Sequence, residues 1–127
     1  DGMRVLVVEG DEVLKLMLVR EFNRLGVFVD EANTISQAVI MLTKNRYDLQ
    51  VYDADFSDQD ARKWLSTVAD RHDQLPTIVV CAGISREVKA DLMHAGADIV
   101  LEKPLHPTDI GAALQSLVAL GGIKRNT

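Results

Sequence analysis

Tyr47-Asp48-Leu49-Gln50-Val51-Tyr52-Asp53 is the stretch around which the rest of this chain is organised. Tyr47, Leu49, Val51 and Tyr52 suit a pleated strand, and the run ends on a carboxylate. Ala54 to Asp60 is short, polar and loop-like. In an open parallel sheet, ligands gather just beyond the carboxyl ends of the strands. Asp53, closing the third of five expected strands, is therefore placed in the mouth of such a site.

Working outward, strand and helix signals alternate on both sides. Val5 to Val8 is a continuous apolar run, as expected for a strand covered on both faces, and it ends at Glu9-Gly10-Asp11. From Glu12 the period becomes helical: Leu14, Leu18, Phe22 and Leu25 form the inner stripe and Gly26 stops it. Val27 to Glu31 reads as a second, more exposed strand. Thr34 and Gln37 fit a capping box ahead of a stripe of Ile35, Ala38, Val39 and Leu42.

Beyond the central strand, a third helix over 60–70 buries Trp64 or Leu65 with Val68. Residues 76–82 are β-branched and apolar, a fourth strand ending near Cys81. Ser85 caps a fourth helix with Val88, Leu92 and Ala95 inward and Gly96 as its stop. Residues 98–102 form a short fifth strand leading to Lys103-Pro104. Pro107 opens a last helix that turns Ile110, Leu114 and Leu117 inward. Five strands, each followed by a helix through short connections, give an α/β fold with a parallel sheet covered on both faces. Periodicity leaves the strand order open. It shows no repeat, no low-complexity segment and no second domain.

Composition narrows the function classes. With 127 residues, 47% hydrophobic and 26% charged, the chain reads as one ordinary soluble globular domain, and 5% aromatic content makes its core aliphatic. A net charge of −5 argues against a nucleic-acid surface within this domain. The single Cys81 excludes an internal disulfide and suits a reducing cytoplasm. No apolar run approaches the ~20 residues of a membrane span, and no signal-peptide pattern opens the chain. Asp1-Gly2 is read as an addition ahead of a native start at Met3.

The strand ends bring chemistry together: Glu9 to Asp11 after the first, Asp53 after the third, Cys81 after the fourth, Lys103 after the fifth. Carboxylates facing a lysine suit a hard divalent cation and a phosphoryl group. Mg²⁺ needs only one or two carboxylates because it keeps several waters. Aspartate can carry a phosphoryl group as an acyl phosphate, and a Lys ammonium can pair with it as a point charge. The plainer alternative is that Asp53 caps the next helix and Lys103 pairs with a surface acid. A nucleotide- or flavin-binding enzyme on the same fold has no support, since no glycine-rich phosphate loop follows the first strand. His72, His94 and His106 are scattered, against a metal cluster. Cys81 reads as a small core residue with no second thiol to make a redox pair. Gln50 is out of place in a central strand, and no partner for it can be named from the sequence.

Val5 to Glu9, Tyr47-Asp48-Leu49 with Asp53, Pro76 to Ala82, Ala95 to Asp98, and Lys103-Pro104-Leu105 with Asp109-Ile110 together resemble the receiver domain of bacterial response regulators. The likeness runs from Met3 to about Leu120. It implies a doubly wound, flavodoxin-like five-stranded sheet in the order 2-1-3-4-5 with five helices, forming a receiver over 3–120 with a tail or linker over 121–127. It also implies a cytoplasmic signalling module rather than an enzyme. Asp53 would take phosphate from a histidine kinase or a histidine phosphotransfer domain, Mg²⁺ would be the cofactor, and Lys103, ahead of a cis Lys-Pro peptide, would contact the phosphate. Leu16 and Val19 lie on a helix face that in this family helps dock such partners, and a homodimer is left open.

The departures from the family pattern cluster at the site. Where two acids usually close the first strand, the pair is Glu9-Gly10, and Asp11 lies one residue too far along unless the loop bulges. Cys81 stands at the switch Thr/Ser position, where a thiol is the weaker donor. Val100 replaces the aromatic of the fifth strand, and Ser57 and Ala61 replace the loop Pro and Gly. Asp55, two residues after Asp53, would complete a three-carboxylate site with Glu9 and Asp53; the alternative is a solvated loop residue. The expectation is a receiver with an incomplete metal and switch site, Mg²⁺ bound weakly or not at all. The alternative is an interaction module that works without phosphorylation.

Overall fold

The computed structural model describes residues 2–55, 60–72 and 75–123. In chain order they form β1 (Arg4–Val8), α1 (Glu12–Arg24), β2 (Phe28–Ala32), α2 (Ile35–Lys44), β3 (Leu49–Asp53), α3 (Ala61–Arg71), β4 (Thr77–Cys81), α4 (Arg86–Ala95), β5 (Ile99–Glu102) and α5 (Pro107–Ala119). The five strands are parallel and ordered β2-β1-β3-β4-β5, the doubly wound arrangement that the resemblance implies. Chain order reverses direction beside β1 and β3, which is where such a sheet opens its crevice. Val8 pairs with Tyr52 and Asp53 with Val80, so β1, β3 and β4 end nearly level.

Alternation along each strand divides the core in two. Val5, Val7, Leu49, Val51, Ile78 and Val80 meet α1 and α5 through Leu18, Phe22, Ile110, Leu114 and Leu117. Leu6, Val8, Tyr52 and Val79 meet Ala38, Leu42, Trp64, Leu65 and Leu92 from the other three helices. Every residue of β3 and β4 is buried, as expected for strands covered on both faces. Truncating one of these side chains, such as Leu6→Ala, costs about 2–5 kcal/mol. Ile123, expected in a tail, is buried in the α5-side core, while 124–127 lie outside the described residues.

Local signals set the helix ends. Thr34 Oγ1 accepts from the Gln37 amide, while the Gln37 side chain accepts from Asn33 rather than from the cap residue itself. Ser85 Oγ accepts from Val88, and Pro107 sits in the first turn of α5. Gly96 ends α4 at φ +136°, a conformation that disfavours any side chain. Three residues assigned to inner stripes are partly outside: Leu25, Val39 and Val88 are 38–40% exposed. Leu25 lies past the last turn of α1. Val39 and Val88 sit at the rims of their stripes, and α4 covers only the edge beside β5, so Leu92 alone is fully buried on it.

Gln50 finds its partner across the sheet face. Its Oε1 accepts from Trp64 Nε1 at 2.8 Å and its Nε2 donates to Thr77 Oγ1 at 3.2 Å. Trp64 is the only tryptophan, and its N–H must be paired when buried. A polar residue in the central strand is thus the acceptor that lets α3 bury an indole.

Candidate functional site

Asp53 is the last residue of β3 and is 2% exposed, held by strands on both sides. Lys103 follows β5, where its backbone N–H donates to the Cys81 carbonyl and the Lys103–Pro104 peptide is cis. The side chain then reaches back across the crevice, and Nζ donates to Asp53 Oδ2 at 2.8 Å. Burial pulls the Lys103 ammonium down, but Asp53 and Asp55 outweigh it and hold its pKa above the usual range. The lysine is therefore a fixed positive charge.

Glu9 follows β1 directly and is buried. Its Oε1 accepts from the Asp11 amide at 2.8 Å, whereas no donor reaches Oε2. Burial first, then the neighbouring Asp53 carboxylate, push Glu9 up to about 8. At neutral pH it is mostly protonated, and its proton is shared toward Asp53. Two acids forced together behave this way when no cation lies between them. A buried carboxylate oxygen without a donor, beside a second carboxylate, fits a hard divalent cation, and Glu9 with Asp53 would supply the protein oxygens.

Asp11 does not join them. Its Oδ1 accepts from Val13 and Leu14 as the N-cap of α1, so this acid serves the helix. Gly10 brings no side chain. Asp55 does enter the crevice: Oδ2 lies 3.1 Å from Lys103 Nζ and accepts from the Ala82 amide at 2.8 Å. Its own N–H donates to Asp53 Oδ1 at 2.8 Å. Among the described residues, no three His, Cys, Asp or Glu side chains gather around one metal-sized space.

Cys81 closes β4 with Sγ 3.6 Å from Asp55 Oδ1 and 3.3 Å from the Ala82 carbonyl. Burial, then the Asp55 charge, raise its pKa, so it remains a thiol and a poor nucleophile. Val100 packs among the side chains under α3 and α4, Ala61 begins α3, and Ser57 lies outside the described residues. The donor that sequence reasoning missed is the Ala82 amide. A backbone N–H carries no residue signature, and only its place after β4 hints at it.

Residues 5–115 match the family model of the response regulator receiver domain. Over 120 residues the chain is 32% identical to the virulence transcriptional regulatory protein PhoP of Shigella flexneri, an alignment covering 91% of this chain and 52% of that protein. The chain thus spans about half the length of the curated relatives it matches. The receiver domain of Francisella response regulator 1452 has the same fold, with a TM-score of 0.85 at 23% identity over 94% of this chain and 98% of that one. HP1043, an orphan response regulator of H. pylori, gives a TM-score of 0.80 at 22% identity over 90% and 94%. Sequence, strand order and the placement of Asp53 and Lys103 agree: this chain belongs to the response regulator receiver domain family of two-component signalling.

Proposed function

We propose that Asp53 is the phosphoacceptor position of this receiver and that the apparatus around it is incomplete. The observation that carries this reading is the buried Asp53 carboxylate, held 2.8 Å from Lys103 Nζ at the open end of the sheet. An Asp53 oxygen would attack the phosphorus of a phosphohistidine. The N–P bond breaks, a carboxyl O–P bond forms, and the imidazole leaves and takes a proton. The incoming group carries about −1.5 to −2 charges, so it needs positive charge beside it. Lys103 supplies one. Mg²⁺, held weakly by Glu9 and Asp53, would supply the rest, while Asp55, expected as a third carboxylate, is engaged by Lys103 and Ala82 instead.

Histidine kinases or histidine phosphotransfer domains are the donors that suit this chemistry. The exposed Val13 and Leu16 on α1 offer an apolar surface for one. No helix among the described residues is long and apolar enough to cross a membrane, and we place the module in the cytoplasm. Intact-mass measurement after incubation with acetyl phosphate and Mg²⁺ tests the reading. The expected result is a slow, partial gain of one phosphoryl group that Asp53→Asn abolishes. Rapid, near-complete labelling at Asp53 would show a competent site, and labelling that survives Asp53→Asn would place the acceptor elsewhere. The second reading, an interaction module that works without phosphorylation and can dimerise, is favoured by the engagement of Asp55 with Lys103 and Ala82.

A further inference from the structure

We propose that the Asp55 carboxylate is a built-in stand-in for the phosphoryl group of Asp53, occupying the donors that an acyl phosphate there would use. The inference rests on Asp53 being the acceptor. Asp53 is 2% exposed, so a group attached to its carboxylate can project only toward the open crevice. There it would meet Lys103 Nζ, which is 2.8 Å from Asp53 Oδ2, and the Ala82 amide at the end of β4. Both are already engaged. Asp55 Oδ2 lies 3.1 Å from Nζ and 2.8 Å from the Ala82 nitrogen, and Oδ1 receives the Cys81 thiol at 3.6 Å.

The arrangement is fixed locally as well, because the Asp55 amide donates to Asp53 Oδ1 and closes a two-residue turn. A carboxylate offers two acceptor oxygens and one negative charge, part of what a phosphoryl group offers. It ties together the segments after β3, β4 and β5, which carry Asp55, Ala82 and Lys103. Such charge-assisted bonds are the stronger kind. The crevice therefore rests in the arrangement that a phosphoryl group would impose, and phosphorylation of Asp53 has to displace a like-charged group from the same donors.

Residue-resolved hydrogen exchange tests this on the wild type, Asp55→Ala and Asp53→Asn/Asp55→Ala, each with and without Mg²⁺ and beryllofluoride, a phosphoryl analogue. In Asp55→Ala the Ala82 amide is expected to exchange at least tenfold faster. Beryllofluoride is expected to restore its protection there, but not in the double variant, and to leave the wild type unchanged. Equal Ala82 exchange in wild type and Asp55→Ala would overturn the proposal. So would wild-type protein that takes up beryllofluoride as readily as Asp55→Ala. Faster exchange in Asp55→Ala with no response to beryllofluoride would instead overturn the phosphoacceptor reading and leave the Asp55 tie standing. Should Asp55→Ala fail to fold, Asp55→Asn keeps an acceptor for Ala82 but no charge for Lys103. It is expected to show intermediate exchange and a gained response to beryllofluoride; wild-type behaviour in both would overturn the proposal.

Discussion

Replacing Glu9 by Gln should make the stability of this domain less dependent on pH. Glu9 is buried, its Oε2 meets no donor, and its folded pKa is pushed up to about 8 by burial and by Asp53, against 4.5 for an ordinary glutamate. Between those values the folded protein holds a proton that the unfolded chain releases. The stability associated with that proton is complete below 4.5 and is lost as the pH rises through about 8. Going from pH 6 to pH 9 without divalent metal, the wild type is expected to lose about 2–3 kcal/mol more than Glu9→Gln. In the variant an amide N–H stands where the shared proton stood, so the two proteins should agree within about 1 kcal/mol at pH 6. For a chain of this size the difference at pH 9 amounts to a melting shift on the order of 10 °C. Calorimetry of both proteins in EDTA across that range measures it, and the other titrating groups cancel in the comparison. Parallel curves would mean that Glu9 is ionised throughout, and the shared proton would have to be abandoned.

Gln50→Leu leaves the Trp64 indole N–H buried without its acceptor and should destabilise the fold by about 1–3 kcal/mol in urea unfolding. Strictly additive losses for Gln50→Leu, Trp64→Phe and the double variant would show that the pair is not coupled. Gly10→Asp restores an acid beside Glu9 and is expected to tighten Mg²⁺ binding at least tenfold in a titration; an unchanged isotherm would put the ligand elsewhere. Because burial and Asp55 keep Cys81 protonated, iodoacetamide at neutral pH should modify the native thiol at least tenfold more slowly than the unfolded one. Equal rates would mean an accessible thiolate.

The alternation of short apolar runs with period-3.6 segments, the caps at Thr34 and Ser85, the first-turn Pro107, and the convergence of Glu9, Asp53, Cys81 and Lys103 at strand ends are all legible in the chain. Each rests on residues a few positions apart and on short connections that leave the topology little freedom. Asp53 and Lys103 lie 50 residues apart, but one ends β3 and the other directly follows β5, so the parallel sheet brings them together without further information.

The rest was decided by contacts that no local pattern encodes. Asp11 and Asp55 are both acids near strand ends. One is drawn onto the first turn of α1 and the other across the crevice to Ala82, 27 residues away. Gln50 reads as an anomaly in a central strand until α3 brings Trp64 against it. Tyr47 to Asp53 alone was enough to mark a central strand ending in a carboxylate at the mouth of the crevice. Whether that carboxylate faces open donors or donors already engaged depends on which neighbours the folded crevice places within 3 Å or so of Lys103 and Ala82, because hydrogen bonds and ion pairs act only at such range.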